Sequence, residues 1–426
     1  MEFKKIKKNI TMKHFKLKFI LLLFSTQLMG GSIHAQSLDS LLQLAVSQNT
    51  ALKSLELEYK AEIAKADQVS QLPNPQLGVG VPILRPETRL GPQIMMVSAS
   101  QLFPWFGTLK AKKEVVVSMS KMRNEKMAAL KLNLFFTVKT HYYQLLFINE
   151  QQALIKKDIL LLKTIKQLSL SKVESGQGSI ADVLRIQLKI DELSMEIAVL
   201  ENSKQSLSAH INEITKQPFN EQISVNDGIL QLPILNYDLD VFQQKVSAHH
   251  PLMEMLNAEI ETSENRVIVN KTANNPTIGV GIDYSLVGER TDANPINNGR
   301  DILIPKVMMS IPIYRKSFNA TNQIEALNRE ALEWDKISLI DQMTVQLIEY
   351  KTEYDNALLL FHLSEKQETT AQQTYDILLT NYSTNSAGFD DLLSIQSQLL
   401  KYKQQNIKAR LQANIAIAKI ERLTNF

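Results

Sequence analysis

The stretch LPNPQLGVGV, residues 72–81, returns in altered form as ANNPTIGVGI, residues 273–282. Both copies contain Asn-Pro followed by aliphatic residues that alternate with other residue types. In the second copy the alternation continues as far as Leu286, with apolar residues on one side and Thr277, Gly279, Gly281, Asp283 and Ser285 on the other. A period of two residues predicts a β-strand with one apolar and one polar face. We therefore expect the chain to build the same short strand twice.

The repeat extends over most of the chain. LDSLLQLAVSQNTAL (38–52) aligns with LDVFQQKVSAHHPLM (239–253), and SIADVLRIQ (179–187) aligns with GFDDLLSIQ (388–396). Matching segments in the same order at similar offsets indicate an internal duplication. The predicted organisation is a signal peptide at 1–35, a first repeat at 36–216, a linker at 217–237 and a second repeat at 238–426.

Each half is predicted to hold a strand pair and one long helix. Between Gly107 and Val173 there is neither proline nor glycine, and apolar residues recur at intervals of three and four, as in a coiled-coil seam. At ~1.5 Å per residue such a helix reaches about 100 Å, which no compact soluble domain needs. The predicted bounds are about 75–103 and 276–312 for the strand pairs, and about 107–173 and 315–380 for the long helices.

The N-terminus has the pattern of a secretory signal peptide. A basic stretch from Lys4 to Lys18 precedes the apolar run FILLLFSTQLMGG and a cleavage motif that ends at Ala35. Without this segment the chain holds 40 basic and 43 acidic residues, so nucleic acid is not an expected partner. The chain has no cysteine, which excludes disulfides, thiolate metal sites and a lipidated N-terminal cysteine.

Four strands per chain constrain the assembly if their apolar faces meet lipid. A sheet inside a bilayer must close, because no strand edge can remain unpaired there. Four strands cannot close on themselves, whereas three chains supply twelve. The predicted fold is therefore mainly α with a small β part: a trimer in which a twelve-strand transmembrane β-barrel continues into a long α-helical barrel.

These features together resemble the TolC-like outer-membrane factors. The resemblance rests on the signal peptide, the duplication, Asn-Pro before a Gly-rich strand, FPWFG (103–107) before a long helix, and ADVL or DDLL after a Gly-containing turn. It implies a homotrimeric exit duct in the outer membrane of a Gram-negative cell, in contact with outer-membrane lipid. It also implies a periplasmic adaptor (a membrane fusion protein) and an inner-membrane transporter of the RND type as partners, with no enzymatic activity and no cofactor. QLPNPQLGVGV and SQLFPWFGTLKAKKE are most similar to the heavy-metal efflux branch.

The resemblance places the two inter-helix turns at the periplasmic tip. The candidate adaptor-docking residues in these turns are Gly176, Gly178, Asn385 and Gly388. Asp182 and Asp391 match the aspartate that follows the turn in the family, and Asp390 lies beside Asp391, so these three are the candidates for the aperture. The alternative is that all three are helix N-terminal residues that the helix dipole favours.

Aromatic residues gather where strand gives way to helix. Aromatic rings often form a girdle at the boundary between membrane and water. Ordinary packing at the junction is the alternative. The candidates are Phe103, Trp105, Phe106, Tyr314 and Phe318.

Other functions remain open on the sequence alone. The duct could serve type I protein secretion rather than efflux of metal ions or small toxic molecules. A periplasmic coiled-coil adaptor or scaffold would also have a signal peptide and long hairpins, although two equal halves are not typical of an adaptor. His249 and His250 are the residues that favour a secreted metalloenzyme, but adjacent histidines on a helix point about 100° apart.

Overall fold

The computed structural model describes residues 37–225, 230–235, 238–384 and 388–424. The predicted signal peptide and Asn385 lie outside these residues. The described chain is mainly helical with a small sheet, which confirms the predicted class. Its helices are α1 (Leu38–Gln48), α2 (Thr50–Val69), α3 (Thr108–Glu174), α4 (Ile180–Thr215), α5 (Leu239–His249), α6 (Pro251–Ala273), α7 (Lys316–Ser383) and α8 (Phe389–Thr424). Its strands are β1 (Gln76–Gly80), β2 (Glu87–Thr88), β3 (Gly91–Phe103), β4 (Thr277–Val287) and β5 (Ile302–Ser310).

The sheet is antiparallel, in the order β1-β3-β4-β5, and the short strand β2 pairs with β3. Its centre joins strands that are far apart in sequence, because Phe103 of β3 lies opposite Ile278 of β4. β1 and β5 form the two edges. The helices α2, α3, α6 and α7 all connect to the strands at the same end of the sheet, since neighbouring strands are antiparallel.

Polar side chains start the short helices that precede each strand pair. The Asn49 side chain accepts hydrogen bonds from the backbone amides of Ala51 and Leu52 at the start of α2. At the start of α6, Nδ1 of His250 accepts from the amide of Leu252, and Pro251 occupies the first helical position. Proline is favoured there because that position donates no intrahelical hydrogen bond.

The two long helices bury their apolar seams against shorter ones. α3 has 67 residues and α7 has 68, so each is about 100 Å long. Near the sheet α3 packs against α2 and α6, and further along it packs against α4 and α8. The core around Ile155, Leu162, Ile186, Leu392 and Leu399 joins α3, α4 and α8.

A partly buried carboxylate lies beside this core. The carboxylate of Asp158 on α3 accepts a hydrogen bond of 2.5 Å from Nε2 of Gln396 on α8. Burial raises the pKa of Asp158 to about 6, although the Gln396 hydrogen bond and the charges of Lys403 and Lys189 act in the opposite direction. Oε1 of Gln396 has no hydrogen-bond partner within the described residues. The ionised carboxylate therefore destabilises this helix contact.

Replacing Asp158 with asparagine should stabilise the protein at neutral pH. The pKa of about 6 in the fold lies above the value of about 4 expected in an unfolded chain, so the folded chain binds the proton more tightly. The resulting stabilisation is complete below about pH 4 and is lost as the pH rises towards 6. Asp158→Asn should raise the free energy of unfolding by about 1–3 kcal/mol at pH 7.5, with a smaller gain at pH 4.5. Thermal unfolding of both proteins across this range measures the effect, and a gain independent of pH would contradict it.

Candidate functional site

One face of the sheet is apolar and exposed along its whole width. Residues directly opposite each other on antiparallel strands share a face. The registers place Val97 between Val79 and Tyr284, and Val280 opposite Val307. The exposed large apolar residues of this face are Leu77, Val79, Val280, Ile282, Tyr284, Leu303, Val307 and Met309. This is a broad patch with the two-residue period that the sequence predicts.

The opposite face is more polar. Asp283 and Lys306 form an ion pair of 2.6 Å across β4 and β5 on this side. A Cβ atom at Gly281 would lie 2.9 Å from Cε of Lys306, and one at Gly279 would lie 2.8 Å from Cδ2 of Leu102. Glycine at these two positions therefore makes room for side chains of the neighbouring strands, which approach closely on this face.

The five candidate aromatic residues all lie at the junction between sheet and helices. Phe103 ends β3 and lies opposite Ile278 on the apolar face. Trp105 and Phe106 follow it, with ring centroids 6.1 Å apart and edge-to-face geometry. Phe106 and Tyr314 are both 85% exposed, whereas Phe318 is half-buried in α7. Phe103 and Trp105 are 39% and 37% exposed.

The first tip turn follows a known helix-ending geometry. Gly176 has a φ of +73°, the amide of Gln177 donates to the carbonyl of Lys172, and the amide of Gly176 donates to that of Val173. These two hydrogen bonds form a Schellman motif, which explains why glycine follows α3. Ser179 then caps α4 by accepting from the amide of Ala181. The second turn is described only at Thr384 and Gly388, and Asn385 lies outside the described residues.

The three candidate aspartates have different surroundings. Asp390 accepts a hydrogen bond of 2.5 Å from Nη1 of Arg185, which joins α8 to α4. The same Nη1 is 3.9 Å from Oδ1 of Asp182, within one turn of α4. Asp391 is exposed and forms no ion pair or hydrogen bond with any described residue. Arg185 therefore lies close to both Asp390 and Asp182, whereas no described cation pairs with Asp391.

A second contact between the hairpins was not foreseen in the sequence. Lys172, at the end of α3, is buried, and its Nζ donates a 2.6 Å hydrogen bond to the carbonyl of Tyr382 near the end of α7. The ammonium group also lies 4.5 Å from the centroid of the Tyr382 ring. The hydroxyl groups of Tyr382 and Ser169 are 3.1 Å apart. A signal was present, because Lys172 is in phase with the apolar seam through Leu162 and Ile165. A lysine at a seam position indicates a specific polar contact.

Metal ligands are not brought together in the part of the chain that the structure describes. No group of three or more histidine, cysteine, aspartate or glutamate side chains there could hold a metal ion. His250 uses Nδ1 to cap α6, and burial lowers its pKa to about 4. The described helices also include none that is both long enough and apolar enough to cross a membrane.

Replacing Lys172 with methionine should loosen the tip. The substitution keeps an unbranched stem and removes the charged donor to the Tyr382 carbonyl, a bond worth about 1.5–3 kcal/mol. Amide hydrogen exchange in the last two turns of α7 should rise roughly ten- to hundredfold. Lys189→Met is the matched control, because Lys189 pairs with Glu192 at 2.9 Å within α4 alone. Equal exchange at the end of α7 in the two variants would show that Lys172 does not hold the hairpins together.

Known structures resemble this chain in fold, whereas sequences do not. No family model matches it, and no curated protein matches its sequence. The outer-membrane channel OprN matches with a TM-score of 0.72 and 14% identity, over 91% of this chain and 89% of OprN. The CmeC outer membrane channel of Campylobacter jejuni matches with a TM-score of 0.69 and 13% identity, over 91% and 85% of the two chains. The open state of the MtrE outer membrane channel of Neisseria gonorrhoeae gives 0.71 and 13%, over 91% and 88%.

Proposed function

Because the chain has the fold of TolC-like outer-membrane channels, we propose that it is the outer-membrane exit duct of a tripartite efflux system. It conducts substrates passively, while an inner-membrane transporter supplies the energy and a periplasmic adaptor connects the two. The observation that carries the proposal is the exposed apolar face, which extends across β1, β3, β4 and β5. Lipid would cover this face, whereas water would leave a large apolar patch exposed.

The open edges of the sheet support a trimer. A transmembrane strand needs about 9–11 residues, and β3 and β4 have 13 and 11. β1 and β5 each have one paired side within the chain, and their other sides must pair in a bilayer. Three copies related by a threefold axis would join β5 of one chain to β1 of the next and close twelve strands into a barrel.

Exposed apolar stripes on the helices support the same assembly. On α4 the stripe follows intervals of four and seven residues, which is one face of a helix. It consists of Ile180, Leu184, Leu188, Met195 and Val199. α7 carries exposed Leu359, Leu363 and Ile377. In the proposed trimer the α3–α4 hairpin of one copy packs against the α7–α8 hairpin of the next, which buries both stripes and builds the helical barrel.

The proposed duct also gives the tip turns and the aromatic junction a location relative to the outer membrane. Gly176, Gly178 and Gly388, together with Asn385, would face the adaptor in the periplasm. The exposed aromatics of the junction would mark the inner boundary of the outer membrane. We propose efflux of metal ions or small molecules, with protein secretion as the alternative cargo class. A periplasmic scaffold is disfavoured, because its sheet would expose the apolar face to water.

Conductance and assembly test the duct directly. The protein purified from outer membranes should form heat-modifiable trimers and conduct ions in planar bilayers. Val307→Arg should reduce trimer yield strongly, because an arginine on the lipid face costs about 2–4 kcal/mol near the midplane. Met308→Arg is the control, since the next residue of β5 lies opposite Gly279 on the polar face. A soluble monomer, or equal yields for the two variants, would contradict the proposal.

We further propose that Asp391 faces the threefold axis at the tip and attracts cations. Its charge has no described partner, whereas Asp390 is paired with Arg185. Three carboxylates in a narrow pore create a strong local potential that salt screens over about 8 Å. The effect is therefore large only if the aperture is narrow.

Asp391→Ala should lower cation preference and weaken the block by multivalent cations without reducing trimer yield. Asp182→Ala should change both less, because Arg185 lies within 3.9 Å of it. Reversal potentials and block curves in planar bilayers measure the two variants. Unchanged selectivity in Asp391→Ala trimers would leave Asp391 as a helix N-terminal residue only.

A further inference from the structure

A pocket of about 270 Å³ lies between α2, α3 and α6, close to the sheet. Its floor is apolar and is built by three side chains of α3 and one each of α2 and α6. These are Val69 of α2, Val115, Val116 and Met119 of α3, and Val269 of α6. An open apolar pocket beside three helices is suited to a hydrocarbon chain.

The rim of the pocket is positively charged. Lys65, Lys112 and Arg266 supply one cation from each helix. Lys65 is 3.3 Å from Glu62. Lys112 and Arg266 form no ion pair with any residue that the structure describes, and both are exposed. The pocket thus combines an apolar floor with two uncompensated cations.

Several lysines lie at the N-terminus of α3, where the helix dipole disfavours positive charge. Lys110, Lys112 and Lys113 all lie within the first six residues of α3, whose first turn contains no acidic residue. Cations are disfavoured at a helix N-terminus, where the dipole is positive. Lys113 reaches Asp67 at 3.4 Å, but Lys112 does not share that contact. An external anion beside Lys112 and Arg266 would offset this excess of positive charge.

The other side of the same three helices is different. There a pocket is lined by Lys121, Glu125, Glu254 and Glu261, among other polar residues. Lys121 is paired with Glu261 at 2.7 Å. Because successive helix residues turn by 100°, Met119 and Glu125 project to different sides of α3. The helix layer is thus apolar and basic on one side and acidic on the other.

In the proposed duct the two cations of the pocket lie next to the lipid headgroup layer, which their long side chains can reach. Lys112 is four residues into α3 and Arg266 is seven residues before the end of α6, so both lie about 6–11 Å from the ends that meet the sheet. The headgroup region of a bilayer extends some 5–8 Å beyond each side of its hydrocarbon core.

We propose that this pocket binds one anionic phospholipid of the inner leaflet, with its phosphate between Lys112 and Arg266 and an acyl chain on Val269 and Val69, the floor residues nearest the sheet. The proposal rests on the outer-membrane location given above. It adds a lipid of defined charge to the partners of the chain. The bound lipid joins α2, α3 and α6 at the point where the helices leave the membrane.

Lipid titration of the full-length protein in a mild non-ionic detergent tests the site. Native mass spectrometry should show tighter binding of phosphatidylglycerol than of phosphatidylethanolamine. Lys112→Gln with Arg266→Gln should weaken phosphatidylglycerol binding about 25-fold, because each cation near an anionic lipid surface contributes a factor of about five. Lys121→Gln, on the opposite side, should leave the affinity unchanged. Millimolar inorganic phosphate should not displace the lipid.

Each alternative result is decisive. Equal affinity for the two lipids, an unchanged affinity in the double variant, or displacement by phosphate alone would overturn the lipid site. Conductance of the wild-type protein is measured separately, so a conducting trimer without selective lipid binding would refute this inference and leave the duct intact. Selective lipid binding by a protein that forms no channel would refute the duct instead. Circular dichroism of each variant verifies that it is folded.

Discussion

The exposed apolar face of the sheet is the constraint on which the rest of the structure depends. The helices cannot cover it, because α2, α3, α6 and α7 all connect to the strands at one end. An apolar surface of this width is stable only against another apolar medium or another chain. In the proposed assembly lipid covers the apolar face, and further copies of the chain pair with the open strand edges. The two glycines of β4, Gly279 and Gly281, lie on the opposite face, where side chains of the neighbouring strands leave little room for a Cβ atom.

Much of this architecture could be predicted, because strands and helices show as short periods in the spacing of apolar residues. The two-residue alternation from Ile278 to Leu286 predicts which residues share a face, and Val280, Ile282 and Tyr284 are indeed exposed on one side. The three- and four-residue intervals predict long helices in the same way. These patterns depend only on local backbone geometry, so a single sequence is sufficient to read them.

Contacts between distant segments were not predictable by the same means. The pairing of β3 with β4 joins residues 175 to 194 positions apart. The contacts of Arg185 with Asp390 and of Lys172 with Tyr382 join residues 205 and 210 positions apart. No period encodes such pairs. Arg185 follows Asp182 by three residues on one helix, a spacing that favours their pairing. In the structure Nη1 of Arg185 is 2.5 Å from Asp390 on α8, and 3.9 Å from Asp182.

The contacts between the two halves of the chain change in kind along the helices. Midway along, Glu150 and Arg410 form a largely buried ion pair of 2.8 Å. The amide of Leu230 donates to Glu150, and the carbonyl of Leu230 accepts from Arg410. At the tip, the pair of Arg185 and Asp390 is exposed, and exposed ion pairs contribute about 0–1 kcal/mol. Removing a partner from the buried group would leave a charge without compensation, whereas separating the exposed pair costs little. Local opening of the structure is therefore expected to begin at the tip, while the middle of the helices keeps the two halves together.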